Sequence, residues 1–97
     1  MRYEVRLEAD PSMAPAIEAY MRGTHIPEIM ATGCFQRAHF DRAESGVFRT
    51  TYVAATRADF DRYIAEHFAR FREAFLVQFP SGIIPARELF TELEAWP

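Results

Sequence analysis

The first eight residues alternate with a period of two. Tyr3, Val5 and Leu7 fall on one side and Arg2, Glu4, Arg6 and Glu8 on the other, the pattern of a strand with one buried and one wet face. Asp10, Pro11 and Ser12 break the alternation. Met13, Ile17, Tyr20 and Met21 then recur at three- and four-residue intervals, with Glu18 and Arg22 placed as a favourable i,i+4 pair. This predicts a first helix with Ser12 as its N-cap, because Pro15 fits only within a first turn, where a missing amide hydrogen costs nothing. Gly23 is read as its end, and Pro27 as the start of a short second helix that stops at Gly33.

Two strands are predicted over residues 34–42 and 47–55, joined by Glu44, Ser45 and Gly46 in a tight antiparallel hairpin. In the second of them, either Phe48, Tyr52 and Ala54 or Arg49, Thr51 and Val53 face the helices, so Tyr52 is either core or pocket. Thr56 with Asp59 resembles a capping box. It introduces a long helix whose stripe is Phe60, Ile64, Phe68, Phe71, Phe75 and Phe79. Pro80, Ser81, Gly82 and Pro85 end that helix, and residues 87–96 alternate again as a final strand.

The order strand, helix, strand, strand, helix, strand predicts an α+β domain of the ferredoxin-like type over residues 1–97, a four-stranded antiparallel sheet with both helices on one face. The other face is left open. The pattern assigns it Glu4, Arg6 and Glu8, then Phe35, Arg37 and His39, then Phe90, Glu92 and Trp96. A face that is merely wet seldom needs these aromatics, so a partner sheet or a ligand is expected to cover them.

Composition narrows the function classes. With 97 residues, 49% of them apolar and 26% charged, the chain suits one globular core. The net charge of −3 lacks the positive excess that a phosphate backbone or anionic lipid requires, so neither nucleic acid nor membrane is an expected partner. The longest apolar runs are four residues, against ~20 for a membrane span, and a cytoplasmic protein is expected. Its one cysteine, Cys34, cannot form an internal disulfide, which agrees with a reducing compartment. All eleven basic residues are arginines scattered along the chain, which excludes Schiff-base or phosphate-loop lysine chemistry.

The stretch His25-Ile26-Pro27-Glu28-Ile29-Met30-Ala31-Thr32-Gly33-Cys34-Phe35 resembles a family of small bacterial proteins, a domain of unknown function with an HIPE(I/V)(M/L)ATG-aromatic signature. The likeness continues more loosely through Tyr52 and residues 59–64. That family resembles in turn the dimeric α/β-barrel superfamily, in which two ferredoxin-like protomers pack sheet against sheet around a cavity. The resemblance implies a homodimer. It transfers no activity, because the superfamily includes cofactor-independent monooxygenases, lactone isomerases, haem enzymes and stress proteins.

His25 is the first candidate for chemistry, either as a general base with Glu28 one turn away or, with Glu28, as a cap on the helix that Pro27 opens. His39 shares a face with Phe35, Arg37 and Asp41 and is the second candidate, in competition with a plain cross-strand pair. Phe35, Arg37, Tyr52, Phe90 and Trp96 are the expected ligand-lining residues. His67 borders the apolar stripe of the long helix and reads as packed, as does Cys34. Glu88, Glu92 and Glu94 read as ion-pair partners of Arg2 and Arg6. The histidines stand at 25, 39 and 67 without metal-ligand spacing, so no metal and no cofactor is expected. The chain is thus expected to bind a small organic ligand in a cavity between the two sheets of a homodimer. The alternative is a cofactor-independent enzyme, monooxygenase- or isomerase-like, that uses His25 and His39 as acid and base.

Overall fold

The computed structural model describes residues 1–97. Strand β1 (Arg2–Ala9) leads through a 3-10 turn (Pro11–Met13) into helix α1, residues 14–30. Strands β2 (Arg37–Arg42) and β3 (Phe48–Val53) follow, then helix α2, residues 57–78, and strand β4 (Ile83–Phe90). The sheet order is β2-β3-β1-β4 with every neighbour antiparallel, the ferredoxin-like arrangement that the element order predicts. No helix is long and apolar enough to cross a membrane.

The register decides which way each strand faces. Tyr3 lies opposite Tyr52 and Leu89, Val5 opposite Thr50 and Arg87, and Leu7 opposite Phe48 and Pro85. Because Tyr3 and Leu7 are buried under the helices, Phe48, Thr50 and Tyr52 are too, and all three are almost fully covered. The question left open for β3 is therefore answered: Tyr52 faces the helices. The core has two centres. One gathers Tyr3, Ile29, Cys34, Phe35, Tyr52, Phe60 and Tyr63, and the other Leu7, Ile17, Met21, Phe48, Phe75 and Phe79.

Several local expectations change for physical reasons. Asp10, not Ser12, is the cap, since its Oδ1 accepts the Ser12 amide at 2.9 Å and the chain enters α1 through the 3-10 turn. Gly23 does not end the helix. It lies inside a wide π turn, Met21–His25, where the Ile26 amide donates back to the Met21 carbonyl. Ile17, Met21, His25 and Ile29 recur every four residues, a spacing that in a pure α-helix drifts by about 40° per step. The wider turn takes up that drift and keeps all four pointing at the sheet. Helix α1 ends only near Gly33, whose φ of +76° suits a residue without a side chain.

Helix α2 begins as expected, with the Thr56 hydroxyl accepting the Asp59 amide at 3.1 Å. It too contains a π turn, Ile64–Phe68. The predicted stripe is therefore interrupted: Phe60, Phe71, Phe75 and Phe79 are buried, Phe68 is half-buried, and Ile64 is 41% exposed while Tyr63 takes the inward place.

The ends of the sheet also differ from the pattern. β2 begins at Arg37, and Cys34 and Phe35 tuck inward before it. β4 starts earlier, at Ile83, and stops at Phe90, because Arg2 opposite Phe90 is the first residue of β1 and offers the last pairing partner. Residues 91–97 take no regular structure. Pro85 sits within β4, tolerated because this is an edge strand.

Candidate functional site

Between the sheet and the helices lies a cavity of about 30 Å³, room for roughly two ordered waters. β1 contributes Tyr3, Val5 and Leu7, β3 contributes Tyr52, and β4 contributes Arg87. Helix α1 supplies Met21, His25 and Ile29, and α2 supplies Tyr63, Phe68, Phe71, Arg72 and Phe75. The two π turns end on this cavity, Met21–His25 delivering His25 and Ile64–Phe68 delivering Phe68. Single wide turns of this kind recur at functional sites because they re-aim a side chain without breaking the helix.

His25 is the polar centre of the cavity. Its ring lies 5.7 Å from Tyr20, 6.2 Å from Phe71 and 5.5 Å from Phe75, centroid to centroid. Its Nδ1 is buried and makes no hydrogen bond to another group of the protein, the one buried side-chain nitrogen or oxygen so placed. Burial, reinforced by the positive charge of Arg87, pushes its pKa down from 6.5 to about 4, so the imidazole is neutral at neutral pH. It caps nothing, and Glu28, exposed on the outer surface, makes no bond to it.

Three tyrosines line the same cavity. Tyr3, Tyr52 and Tyr63 all have their phenols pushed above the usual value, in each case mainly by burial. For Tyr3 and Tyr63 the Arg87 charge works in the opposite direction. All three are therefore neutral hydroxyls able to donate or accept a hydrogen bond. The Arg87 guanidinium stacks at 5.3 Å over the Phe68 ring. Cys34 is a buried free thiol behind this layer. No three His, Cys, Asp or Glu side chains gather where they could hold a metal ion.

The sequence-derived candidates scatter over three places. His25 and Tyr52 reach the cavity. Phe35 does not lie on the open face. It is buried on the helix side, its ring 5.1 Å from Tyr52 and 4.9 Å from Tyr63, so it supports the cavity wall from behind. Arg37, His39 and Phe90 stand on the open face. There His39 heads a cross-sheet row with Thr51, Glu4 and Glu88, and a neighbouring row holds the Arg49–Asp41 ion pair at 3.1 Å. His39 and His25 therefore occupy opposite faces of the sheet. Trp96 lies beyond β4 and is 77% exposed, and the segment before it is tied down by Arg2, which meets Glu92 at 2.9 Å.

Pattern reading missed Tyr3, Tyr63, Arg72 and Arg87 as site residues. Arg87 carried a usable signal: it has the same parity in β4 as Leu89, hence an inward register, and a charge at an inward position is unusual. Tyr63 carried a weaker one, its three-residue spacing from Phe60 in the α-helical turns that precede the π turn.

The fold and this cavity define a ferredoxin-like α+β protein with an aromatic pocket between its sheet and its helices. The chain belongs to the family described as Domain of unknown function (DUF4286), whose model matches residues 1–93. No curated protein matches it in sequence. Among solved structures it is similar to SnoaB, a cofactor-independent oxygenase from Streptomyces nogalater, with a TM-score of 0.70 at 16% identity, covering 99% of this chain and 95% of that one. It is also similar to the monooxygenase of the gene ActVA-Orf6 of Streptomyces coelicolor, solved with the ligand Nanaomycin D, with a TM-score of 0.68 at 12% identity over 99% and 90% of the two chains. HapK from Hahella chejuensis gives 0.62 at 14% identity over 99% and 100%. At these identities the likeness is one of fold.

Proposed function

We propose that this chain binds a small organic molecule in the cavity between its sheet and its helices, and that His25 there acts as the base of a cofactor-independent oxygenase. The observation that carries this is the neutral His25 imidazole with its buried Nδ1, unpartnered within the protein, in a pocket lined mainly by aromatic and aliphatic side chains. A buried polar atom without a partner costs about 1–3 kcal/mol, a cost that a bound ligand removes. The similarity in fold to SnoaB and to the ActVA-Orf6 monooxygenase supports the oxygenase reading.

The chemistry follows from the group. A histidine with a pKa near 4 is free to accept a proton at neutral pH but is a weak base, so it suits a substrate whose own proton is acidic. Removing such a proton from a CH2 flanked by electron-withdrawing groups leaves a carbanion that dioxygen oxidises to C=O, the second oxygen atom leaving as water. The substrate supplies all four electrons that reduce the dioxygen, and both hydrogens of the CH2 leave in the water, so no cofactor is required. The tyrosine hydroxyls orient the substrate, and the aromatic walls exclude bulk water.

The ligand site is assigned to this cavity rather than to a space between two sheets, because the open face presents mostly charged rows and His39 there is exposed. A ligand-sized pocket needs about 300 Å³, so binding pushes the walls outward. The open face is left to a second copy of the chain, in keeping with the homodimer expected from sequence.

Ligand-observed NMR against aromatic compounds of under about 200 Da, followed by oxygen uptake on the binders, tests the main reading. The expected result is binding that shifts the His25 ring resonances, with uptake lost in His25→Gln. Binders that leave those resonances unmoved would place the site elsewhere. Light scattering is expected to give about twice the 11.2 kDa chain mass, and a monomer at micromolar protein would remove the homodimer.

A further inference from the structure

Charge at the cavity runs against the charge of the chain. The protein carries a net −3, yet the thirteen lining residues include two arginines and no carboxylate. Neither arginine has a carboxylate partner. Arg2, Arg22, Arg42, Arg49, Arg57 and Arg62 each have an acidic side chain within 4.0 Å, whereas Arg6, Arg37, Arg70, Arg72 and Arg87 have none, and of these only Arg72 and Arg87 line the cavity. They come from different elements, α2 and β4, and are solvent-exposed at the cavity while its deeper lining is apolar. Arg87 is held in place by the Phe68 ring beneath it, which pre-orders the guanidinium for a partner.

We infer that the ligand of this cavity is an organic acid, its apolar or aromatic body against Tyr52, Tyr63 and Phe71 and its carboxylate bridging Arg72 and Arg87 at the mouth. This rests on the cavity reading above and adds the charge of the ligand to it. A guanidinium matches the planar, two-oxygen geometry of a carboxylate, and two of them line this cavity. The arrangement also separates the ends of the ligand, since the anion stays at the solvated rim while the opposite end reaches towards His25. The Arg87 charge acts on Tyr3, His25 and Tyr63 alike, which places the guanidinium within reach of all three. A carboxylate placed there would weaken that influence and make His25 a better base once the ligand is bound.

The test compares each acid with its uncharged amide of the same shape: phenylacetate against phenylacetamide, and 3-phenylpropionate against 3-phenylpropionamide, titrated by NMR while following the His25 ring. The acids are expected to bind about tenfold or more tightly than the amides. Arg87→Gln and Arg72→Gln should each remove most of that preference, Arg87→Lys should retain part of it, and Arg57→Gln, whose guanidinium pairs with Asp61, should change nothing. Both arginines are exposed, so the variants are expected to fold, and the amide affinities confirm that the pocket is intact. Equal binding of acid and amide at His25 would overturn the organic-acid inference and leave the cavity reading standing. Binding of neither, or binding that never reaches His25, would overturn both.

Discussion

His25 on α1 and Arg87 on β4 face one cavity from opposite walls, and the fixed charge of the arginine works with burial to keep the imidazole neutral. The consequence for stability has a definite sign. The folded pKa of His25 is about 4 against 6.5 for the free side chain, so between those values the unfolded chain holds the extra proton. The contribution is complete above pH 6.5 and is lost as pH falls towards 4. At pH 5.5, one unit below the free value, the loss is about 1.4 kcal/mol. Urea midpoints at pH 7.5 and 5.5 should show this decrease in the natural protein and much less of it in His25→Gln. Equal pH dependence in both would mean that His25 is not shielded.

The phase of helix α2 can be checked by a neighbouring pair. Tyr63 is 3% exposed and Ile64 is 41% exposed, so truncating the first should cost about 3–5 kcal/mol and truncating the second under 1 kcal/mol. Denaturant unfolding of Tyr63→Ala and Ile64→Ala decides it. A regular helix with the simple four-residue stripe predicts the reverse order.

Phe35 and Trp96 separate folding from assembly. Phe35 lies within the aromatic core, and Phe35→Glu would bury an unpaired charge at a cost of several kcal/mol, a large part of the ~5–15 kcal/mol that holds a domain together. Circular dichroism is expected to show a largely unfolded variant. Trp96→Ala should leave the melting temperature within about 2 °C, since a surface change is worth under ~0.5 kcal/mol. If Phe35→Glu folds normally, Phe35 is not the wall that supports the cavity.

The architecture was legible in the sequence because its main signals are periodic and long. Strict alternation in β1, the Gly46 hairpin and the Thr56 cap each point to the element that forms. The site was less legible, because two π turns set it and no residue type announces such a turn. Gly23 before Pro27 looks like the end of a helix, yet the chain widens by one residue and continues, and that widening aims His25 inward. The extent of β4 also escaped the pattern, since alternation to Trp96 continues beyond the last residue of β1 available to pair. Pairing, not periodicity, ends a strand.

The place of Trp96 has a spectroscopic consequence. The protein has a single tryptophan, and it stands in the irregular C-terminal segment, mostly in water. Its emission therefore begins near the solvated limit, and unfolding gives it little new water to meet. The chromophores that register the loss of the core are Tyr3, Tyr52 and Tyr63, whose rings lie 6.1–6.2 Å from Tyr3 in the two pairs it forms with the others. Near-ultraviolet dichroism in the tyrosine band follows the pocket and the fold together, while Trp96 is a separate beacon for whatever comes to lie against the outer edge of the sheet.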